Sequence, residues 1–533
     1  MSSFRKLICA ILASILCFCT AACGSSTADA VIKFEMDSTL KNIDPQLAFS
    51  PSELLIVRNT FEGLFRYDDG GKLIPAAAKS YTLSDDGLIY TFYLSEGLVW
   101  HDGTPLKAQD FEFGLKRAAD PALKSPHSYL LSGIKNADAI IAGNRSPDEL
   151  GVMALSDYVL EIMLEKPNPD FLTLLTNPVF MPCNRQFFEK CAGKYGLSAN
   201  TVLSNGPFYV KIWDLETGNI RLNRSGEYKG NIKTLPSAVQ IYTKSETSTL
   251  IERLKSKDVD IAELNYSLIE RVQGRKTVEI YDTCYCLLIN PQSNIGSNLI
   301  RRAFSLSIHR NAYTNEMPNF FKRADYHIPP DLKVANKKIS EIFSFVYPVD
   351  YDPVQARGLF LEGISKHPGK KFPSTTLLCI DDPSVRTVAT SIVQRWQQDL
   401  GAYINISFVD LSKMKSLVMS GDYQLALYPV SSADDSAINL LKKFTSNSPN
   451  NFCGFSNAEF DTLVESLKDT TDENELIQKL TKAQQMLFEC YTAIPIFFSP
   501  RVFAVSDNIV NFNPDLKSGN IDFAFVGKRS TIR

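Results

Sequence analysis

Helix-like and strand-like patterns of apolar and polar residues alternate along the whole chain. The clearest helical pattern runs from Ser384 to Leu400, and Gly401 predicts its end. Its apolar face consists of Val385, Val388, Ala389, Ile392, Trp396 and Leu400. Strand patterns flank this helix, so residues 375–409 predict a strand–helix–strand unit with parallel strands and a right-handed crossover. Such alternation is typical of mixed α/β lobes.

Other segments carry shorter patterns of the same two kinds. Tyr90–Leu94 alternates as a strand, and Ile494–Phe498 reads as another. A helix is predicted to start at Asp110, with that carboxylate as the N-cap. Two further helices are predicted at 457–467 and 474–490, with a polar stretch between them.

The length of 533 residues exceeds what one hydrophobic core fills, so at least two lobes are expected. Apolar residues at 44% and charged residues at 22% are ordinary for a soluble globular chain. The net charge of −3 provides no basic field, which argues against nucleic acid as a partner. The 33 Phe and 21 Tyr suit a large core or an apolar ligand cavity, and the core is the more common use.

The N-terminus has the pattern of a secretory signal. Arg5 and Lys6 precede an apolar run over 7–18, and small residues then lead to Cys23. We predict a signal peptide over 1–22, since the run is too short to span a membrane. The Ala-Ala-Cys ending resembles a bacterial lipobox, although Thr20 stands where that box usually carries Leu. This resemblance implies lipidation of Cys23 followed by a tether over 23–30; plain secretion is the alternative.

Seven cysteines remain after the signal and Cys23, an odd number that cannot pair completely. Cys284 and Cys286 alternate within a strand pattern, which favours buried free thiols on one face. A bridge between Cys183 and Cys191 stays open. The spacing is not that of a zinc site. The seven are Cys183, Cys191, Cys284, Cys286, Cys379, Cys453 and Cys490.

The sequence carries no recognisable catalytic set. The five His lie at no metal-ligand spacing, and phosphate-loop, dinucleotide-loop and nucleophile-elbow motifs are absent from the sequence. The paired carboxylates at 85–86 and 381–382 sit at turn-like breaks, where capping explains them better than acid–base work. We therefore predict a protein that is not an enzyme and needs neither cofactor nor metal.

Residues 90–113, which contain Trp100-His-Asp-Gly-Thr-Pro105, resemble the hallmark segment of the extracellular solute-binding protein family 5, the oligopeptide- and dipeptide-binding lipoproteins. The resemblance continues in order through Phe61-Glu-Gly-Leu64, Asn205-Gly-Pro-Phe-Tyr209, the segment 301–310 and Ile494-Pro495. It covers essentially the whole mature chain, and such a collinear series is more specific than any single motif.

The resemblance implies an α/β fold: a two-lobed, periplasmic-binding-protein-like clamshell of type II, cluster C, with an extra inserted domain. It implies lobe I at 31–66, 191–285 and 498–533, the inserted domain at 67–190 and lobe II at 286–497. It also implies a monomer on the outer face of the cytoplasmic membrane, or in the periplasm, that captures peptides or peptide-like solutes. The implied partners are the permease and ATPase subunits of an ABC importer, and ligand closes the hinge.

Peptide binders of this family carry an Asp that pairs with the ligand α-amine, after a strand that contains Trp. The matching stretch here places Ala433 at the Asp position, Val430 at the Trp position and Leu427 at a basic position. Asp434 or Asp435 could take the role of that Asp after a slip of one or two residues. Pro429 removes a backbone donor from a segment that should pair with peptide.

The other ligand-lining segment is Gln46–Pro51. Phe49 stands where an acidic residue is frequent in the family, Pro51 removes a second donor, and His127 falls where an aromatic residue usually lines the pocket. We hypothesise a ligand whose α-amine is blocked or absent, or a less polar solute; a sugar oligomer, a metal chelate and a surface adhesin or chaperone role are the alternatives. The predicted ligand-binding residues are Phe49, Ser50, His127, Tyr428, Val430, Ser431, Ser432, Asp434 and Asp435.

Overall fold

The fold is taken from a computed structural model. It describes residues 29–36, 40–168, 171–243, 246–264, 266–272, 274–310, 312, 321–335, 337–344, 351–432, 436–448, 450–470, 472–514 and 521–529. These residues form two compact units. Unit 1 contains the described residues of Met1–Leu264, Val272–Thr277 and Phe503–Arg533, and unit 2 those of Asn265–Arg271 and Val278–Val502. The finer division into an inserted domain and three lobe I segments stays a prediction.

Eleven strands and six helices are described up to Leu264. The strands are β1 (Val31–Glu35), β2 (Phe65–Tyr67), β3 (Leu73–Pro75), β4 (Ala78–Leu83), β5 (Ile89–Leu94), β6 (Val152–Ser156), β7 (Val159–Met163), β8 (Phe208–Asp214), β9 (Asn219–Arg224), β10 (Ala238–Tyr242) and β11 (Ile261–Leu264). The helices are α1 (Pro51–Thr60), α2 (Ala108–Ala119), α3 (Ala137–Ile141), α4 (Phe171–Leu174), α5 (Arg185–Lys190) and α6 (Thr247–Lys255).

The remaining described elements follow in chain order. The helices are α7 (Tyr266–Ile269), α8 (Asn298–Leu306), α9 (Ile339–Ile342), α10 (Pro353–Ser365), α11 (Pro383–Leu400), α12 (Leu411–Met419), α13 (Ala437–Lys442), α14 (Ala458–Ser466) and α15 (Glu473–Cys490). The strands are β12 (Lys276–Ile289), β13 (Lys322–Arg323), β14 (Lys333–Val334), β15 (Lys337–Lys338), β16 (Thr375–Ile380), β17 (Ile404–Val409), β18 (Leu425–Ser431), β19 (Ala493–Val505), β20 (Ile509–Val510) and β21 (Gly527–Lys528).

Unit 1 contains a mixed sheet in the order β11-β1-β10-β9-β8 and an antiparallel sheet in the order β4-β5-β7-β6. In the mixed sheet β1 is parallel to both β10 and β11. Phe92 on β5 and Phe111 on α2 are fully buried. Full burial of such a large apolar side chain contributes about 1.5–3 kcal/mol, so both residues stabilise unit 1.

The predicted N-cap at Asp110 is wrong. Helix α2 begins at Ala108, three residues after Pro105, and Lys107 is its N-cap. The Asp110 carboxylate instead accepts the Lys107 backbone N–H at 2.9 Å and the Trp100 indole N–H at 3.2 Å. Asp110 therefore acts from the third helical position, where its carboxylate accepts the backbone N–H of the N-cap residue.

A buried ion pair fixes the start of the candidate ligand segment in unit 1. The Arg117 guanidinium on α2 donates to the Asp44 carboxylate at 2.7 Å and to Gln46 Oε1 at 2.8 Å. The Gln46 side-chain amide donates to the Met181 carbonyl, and the backbone carbonyl of Gln46 accepts from Ser125 Oγ. All these groups are buried and hydrogen-bonded. The backbone that leads to Phe49 is therefore fixed by hydrogen bonds both to the Gln46 side chain and to its backbone carbonyl.

Unit 2 has a sheet whose order is β17-β16-β18-β12-β19, and β13 pairs with β19. Alternate residues of β18 enter two different apolar clusters: Leu425 and Leu427 join one, while Ala426 and Val430 join the other. Both faces of this sheet are therefore covered, which explains why its strands read as apolar runs.

The predicted strand–helix–strand unit is confirmed. Strand β16, helix α11 and strand β17 follow each other, and the two strands pair in parallel. The six residues of the predicted apolar face are the buried residues of α11, and Gly401 ends the helix with φ 73°. Among the helices that the structure describes, none combines the length and apolar character that a membrane span requires.

Candidate ligand-binding site

In unit 1, Ser50 and Pro51 begin helix α1. Ser50 Oγ accepts the Glu53 N–H at 3.2 Å, and the Glu53 carboxylate accepts the Ser50 N–H at 3.0 Å. Pro51 occupies the first helical turn, where a missing N–H removes no helix hydrogen bond. The structure therefore assigns both residues to the start of a helix.

Glu53 organises the backbone around this helix start. Its two carboxylate oxygens accept the backbone N–H groups of Lys41, Asn42, Phe49 and Ser50 at 3.0–3.1 Å. Burial acts to raise the pKa of Glu53, but these four hydrogen bonds outweigh it and lower that pKa below its ordinary value of 4.5. The carboxylate next to Phe49 is thus ionised and occupied by the protein's own backbone.

Three aromatic rings lie together beyond this helix start. Phe49 stacks on His127 with ring centroids 5.9 Å apart and planes 28° apart, and Tyr129 lies 6.1 Å from His127. Phe49 and Tyr129 are 57% and 56% exposed. The structure thus brings two predicted residues together and adds Tyr129, which the sequence reasoning did not select as a ligand residue. The sequence signal that could have identified Tyr129 is its position two residues after His127.

In unit 2, a depression of about 430 Å³ lies beside the end of β18. Three predicted residues line it, namely Tyr428, Val430 and Ser431, and Ser432 follows directly. Val430 is only 2% exposed, so its side chain belongs mainly to the core. The described residues do not include Ala433, Asp434 and Asp435, nor Cys23, for which lipidation was predicted.

The register of β18 shows which backbone groups face the free edge of this strand. The Asn290 N–H donates to the Gln424 carbonyl at 3.0 Å, so every second residue from 424 onward faces β12. Pro429 and Ser431 face the opposite edge, where the described ladder with β16 covers only 425–427. At this edge Pro429 has no N–H, and the Ser431 carbonyl accepts from Lys443 Nζ at 2.6 Å.

The walls of the depression combine aromatic and cationic side chains. Tyr428 lies 5.6 Å from Phe452, ring centroid to ring centroid, and burial raises the pKa of Tyr428. The charged residues on the walls are Asp282, Lys415, Lys443 and Arg501. Leu427, at the predicted basic position, is fully buried in the core. The sequence reasoning missed Phe452, Lys443 and Arg501, because each comes from a segment with no local ligand-binding signal.

Comparison with known proteins places these features in a family. Residues 72–452 match the model of bacterial extracellular solute-binding proteins, family 5 Middle. The periplasmic oligopeptide-binding protein OppA of Salmonella typhimurium is 27% identical over 470 residues, which is 86% of each chain. The oligopeptide-binding protein OppA of Bacillus subtilis is 26% identical over 501 residues, which is 91% of this chain and 90% of that protein.

The fold is shared with solved substrate-binding proteins. The substrate-binding domain of an oligopeptide ABC transporter from Bacillus anthracis superimposes with a TM-score of 0.76 at 25% identity, covering 95% of this chain and 100% of that chain. The described mixed α/β units therefore have the fold that the sequence resemblance implied.

Proposed function

Because the chain belongs to the bacterial extracellular solute-binding proteins of family 5, we propose that it captures peptides or peptide-like solutes and delivers them to the permease of an ABC importer. The observation that carries this proposal is the likeness, over nearly the whole chain, to proteins named for oligopeptide binding. These relatives are binding proteins, which supports capture and release without chemical turnover.

The candidate contact residues of this proposal form two groups, and each group is described within its own unit. The first is the aromatic group of unit 1, which consists of Phe49, His127 and Tyr129 and offers ring faces for apolar contact. The second is the depression of unit 2, where Tyr428 and Ser431 lie on β18. Ser50 contributes through its place at the start of α1 rather than through a free hydroxyl.

We further propose that the preferred solute has a blocked or absent α-amine. Support comes from unit 1, where Phe49 provides an apolar ring and the neighbouring Glu53 carboxylate is occupied by four backbone N–H groups. An amine placed there would lose water without gaining an available anion, which is unfavourable.

The first experiment identifies the natural solute. Mass spectrometry of the small molecules released when the purified protein is unfolded should show peptides or amine-blocked peptide-like species, since closed binding proteins release ligand slowly. Calorimetric titration with one peptide, in its free-amine and N-acetylated forms, then tests the finer proposal. The acetylated form should bind at least as tightly.

The outcomes separate the two levels of the proposal. Tenfold tighter binding of the free-amine form would contradict the amine proposal and leave the transport role intact. A protein that releases no peptide-like solute, and binds none from a broad peptide library, would contradict the transport role itself.

We also propose that residues 1–22 are a cleaved signal peptide and that Cys23 is lipidated. The tether 23–30 then holds a monomer at the outer face of the cytoplasmic membrane, or in the periplasm. The lobe boundaries implied by the family resemblance belong to the same proposal. Metabolic labelling with an alkyne fatty acid should modify the wild-type chain and not Cys23→Ser, while Cys19→Ser should label normally. Equal labelling of Cys23→Ser would contradict the anchor.

A further inference from the structure

Strand β4 lies at one edge of the antiparallel sheet of unit 1. Among the described residues the order β4-β5-β7-β6 pairs it on one side only, with β5. Every residue of β4 from Lys79 to Leu83 is exposed. An exposed edge strand presents backbone N–H and C=O groups to which another strand can pair. Strand β4 is therefore a surface on which a partner strand can be added.

The opposite edge of the same sheet is covered by the protein itself. Strand β6 lies there, and the Glu112 carboxylate on α2 accepts the Ala154 backbone N–H of that strand at 3.1 Å. This carboxylate occupies a donor that an added strand would need. Proteins protect their sheet edges by devices of this kind, so the contrast between the two edges selects β4 as the open one.

The register of β4 determines which of its backbone groups face the open edge. The Ser84 N–H donates to the Ile89 carbonyl at 3.0 Å, so the backbone groups of Ser84 face β5. Because these groups alternate in direction along a strand, those of Thr82 also face β5, whereas those of Tyr81 and Leu83 face the open edge. A partner strand would therefore form its hydrogen bonds with Tyr81 and Leu83.

The sequence of this edge is complementary to itself when two copies run antiparallel. If Thr82 lies opposite Thr82 of a second copy, each Tyr81 lies opposite a Leu83 and each Lys79 opposite an Asp85. Opposite charges that face each other across two strands stabilise an antiparallel pair. A two-fold axis at Tyr81 would place Lys79 opposite Leu83, and an axis at Leu83 would place Tyr81 opposite Asp85. Only the axis at Thr82 matches both kinds of side chain.

The backbone selects the same axis independently. With Thr82 on the two-fold axis, Tyr81 of one copy and Leu83 of the other form a hydrogen-bonded pair, and the symmetry creates this pair twice. Each such pair exchanges both of its N–H···O=C bonds. These two residues are the ones whose backbone groups face the open edge, so the hydrogen-bond pattern and the charges agree on one register.

Pairing would also cover apolar side chains that are exposed at this edge. Tyr81 and Leu83 are 41% and 44% exposed. The Tyr81 ring lies 5.9 Å from the Phe65 ring and 6.1 Å from the Phe92 ring, centroid to centroid, and both of those rings are buried. Leu83 of a second copy would lie beside Tyr81 and continue this apolar layer, which favours association.

We propose that two copies of this chain associate through β4, by antiparallel pairing with Thr82 on the two-fold axis. Because one strand from each copy buries little surface, the pairing is weak, with a dissociation constant of about 0.1–1 mM. The chain is thus a monomer in dilute solution, and copies pair where they are concentrated, as on a membrane surface. This consequence for the membrane rests on the proposed lipid anchor, whereas the pairing itself does not.

Sedimentation equilibrium of the purified protein, at concentrations that bracket this dissociation constant, tests the proposal. We expect the wild type to form dimers. Lys79→Glu and Asp85→Lys each place like charges opposite each other, and each should raise the dissociation constant about tenfold. The double variant Lys79→Glu/Asp85→Lys restores opposite charges and should return to within about threefold of the wild type. Lys211→Glu, at an exposed lysine of the edge strand β8, is the matched control and should leave the constant unchanged.

A cysteine at the proposed axis tests the register. Opposite residues that are not hydrogen-bonded have Cα atoms about 4.5 Å apart, a distance that a disulfide spans. Thr82→Cys should therefore form a disulfide-linked dimer under mild oxidation, and a peptide map should show the substituted position linked to itself. Met153→Cys, at an exposed position of the covered strand β6, should form no such link.

Three results would overturn the proposal. A wild type that stays monomeric at the highest concentration would leave this edge to a different partner. A dimer that Lys211→Glu weakens as much as Lys79→Glu does would use another surface, as would a dimer that the double variant does not restore. Solute binding is measured separately by calorimetry, so none of these results decides the proposed function.

Discussion

The segments around Phe49 in unit 1 and around Pro429 in unit 2 were both predicted to offer backbone groups to a ligand. They are occupied in opposite ways. In unit 1 an anion, Glu53, collects four backbone N–H donors. In unit 2 the ammonium group of Lys443 donates a hydrogen bond to the Ser431 carbonyl, and Pro429 has no backbone N–H to donate. In both segments, side chains of the protein thus occupy backbone groups that the sequence alone would offer to a ligand.

The largest effect should come from removing the anion of unit 1. Glu53→Ala leaves four backbone N–H groups without their acceptor, and we expect the free energy of unfolding to fall by about 2–4 kcal/mol. Urea titration followed by circular dichroism measures this. Glu459→Ala, at an exposed glutamate near the start of α14, is the matched control and should change stability by less than about 0.5 kcal/mol. If Glu53→Ala lost as little free energy of unfolding as the control, the proposed role of Glu53 in holding this backbone would be wrong.

A smaller effect should come from the cation of unit 2. Lys443→Met breaks the hydrogen bond to the Ser431 carbonyl, and we expect a loss of about 1 kcal/mol, since Lys443 is only partly buried. Thermal denaturation measures the change, with Lys442→Met, at the last residue of α13, as the control. Equal stability of the two variants would show that the Ser431 contact contributes nothing measurable.

Restoring the missing donor should sharpen the comparison further. Pro429→Ala adds an N–H at the edge of β18 that the ladder with β16 leaves uncovered, and one added hydrogen bond corresponds to about 2–10-fold tighter peptide binding. Calorimetry with the peptide identified from the purified protein gives the ratio. Pro383→Ala, at the start of α11, should leave affinity unchanged. Unchanged or weaker binding by Pro429→Ala would mean that this edge makes no main-chain contact with the ligand.

The smallest effect is a pH dependence confined to unit 1. The folded-state pKa of Glu53 lies below its ordinary value of 4.5, so Glu53 stabilises the fold above that value and the contribution disappears as the pH falls through the lowered pKa. The difference in the free energy of unfolding between wild type and Glu53→Gln should therefore be largest at pH 7 and become smaller below about pH 4. A difference that stayed constant down to pH 3 would contradict the assigned pKa direction.

Regular elements could be predicted where a local pattern decided them. The apolar face of α11 is a property of 18 adjacent residues, and the turn at Gly401 needs only the positive φ that glycine adopts freely. The start of α2 was misplaced because an acidic residue is favourable both at the N-cap and at the third helical position. Local preference alone cannot distinguish those two positions.

The site could be predicted only in part, because its contacts join distant segments. The resemblance selected Phe49 and His127 separately, and only the fold brings the two rings into a stack. The hydrogen bond from Lys443 to the Ser431 carbonyl depends on where α13 ends relative to β18, and no local sequence pattern determines that. No sequence pattern singled out Glu53, yet its carboxylate accepts the backbone N–H of Lys41, which lies 12 residues earlier in the chain.

Because unit 1 is built from separate segments of the chain, the two units can complete their folding only in a certain order during synthesis. Asn59 on α1 donates to the Ile521 carbonyl and accepts the Phe523 N–H, so a helix made early is completed by a segment that is made 462 residues later. Unit 2 is mostly one continuous stretch, 278–502, so all of its segments are made before residues 503–533 of unit 1. Unit 1 therefore keeps part of its apolar surface exposed during synthesis until its segment 503–533 has been made. A truncation that removes only the residues after 502 would thus leave unit 2 foldable and make unit 1 the part that chaperones and proteases engage.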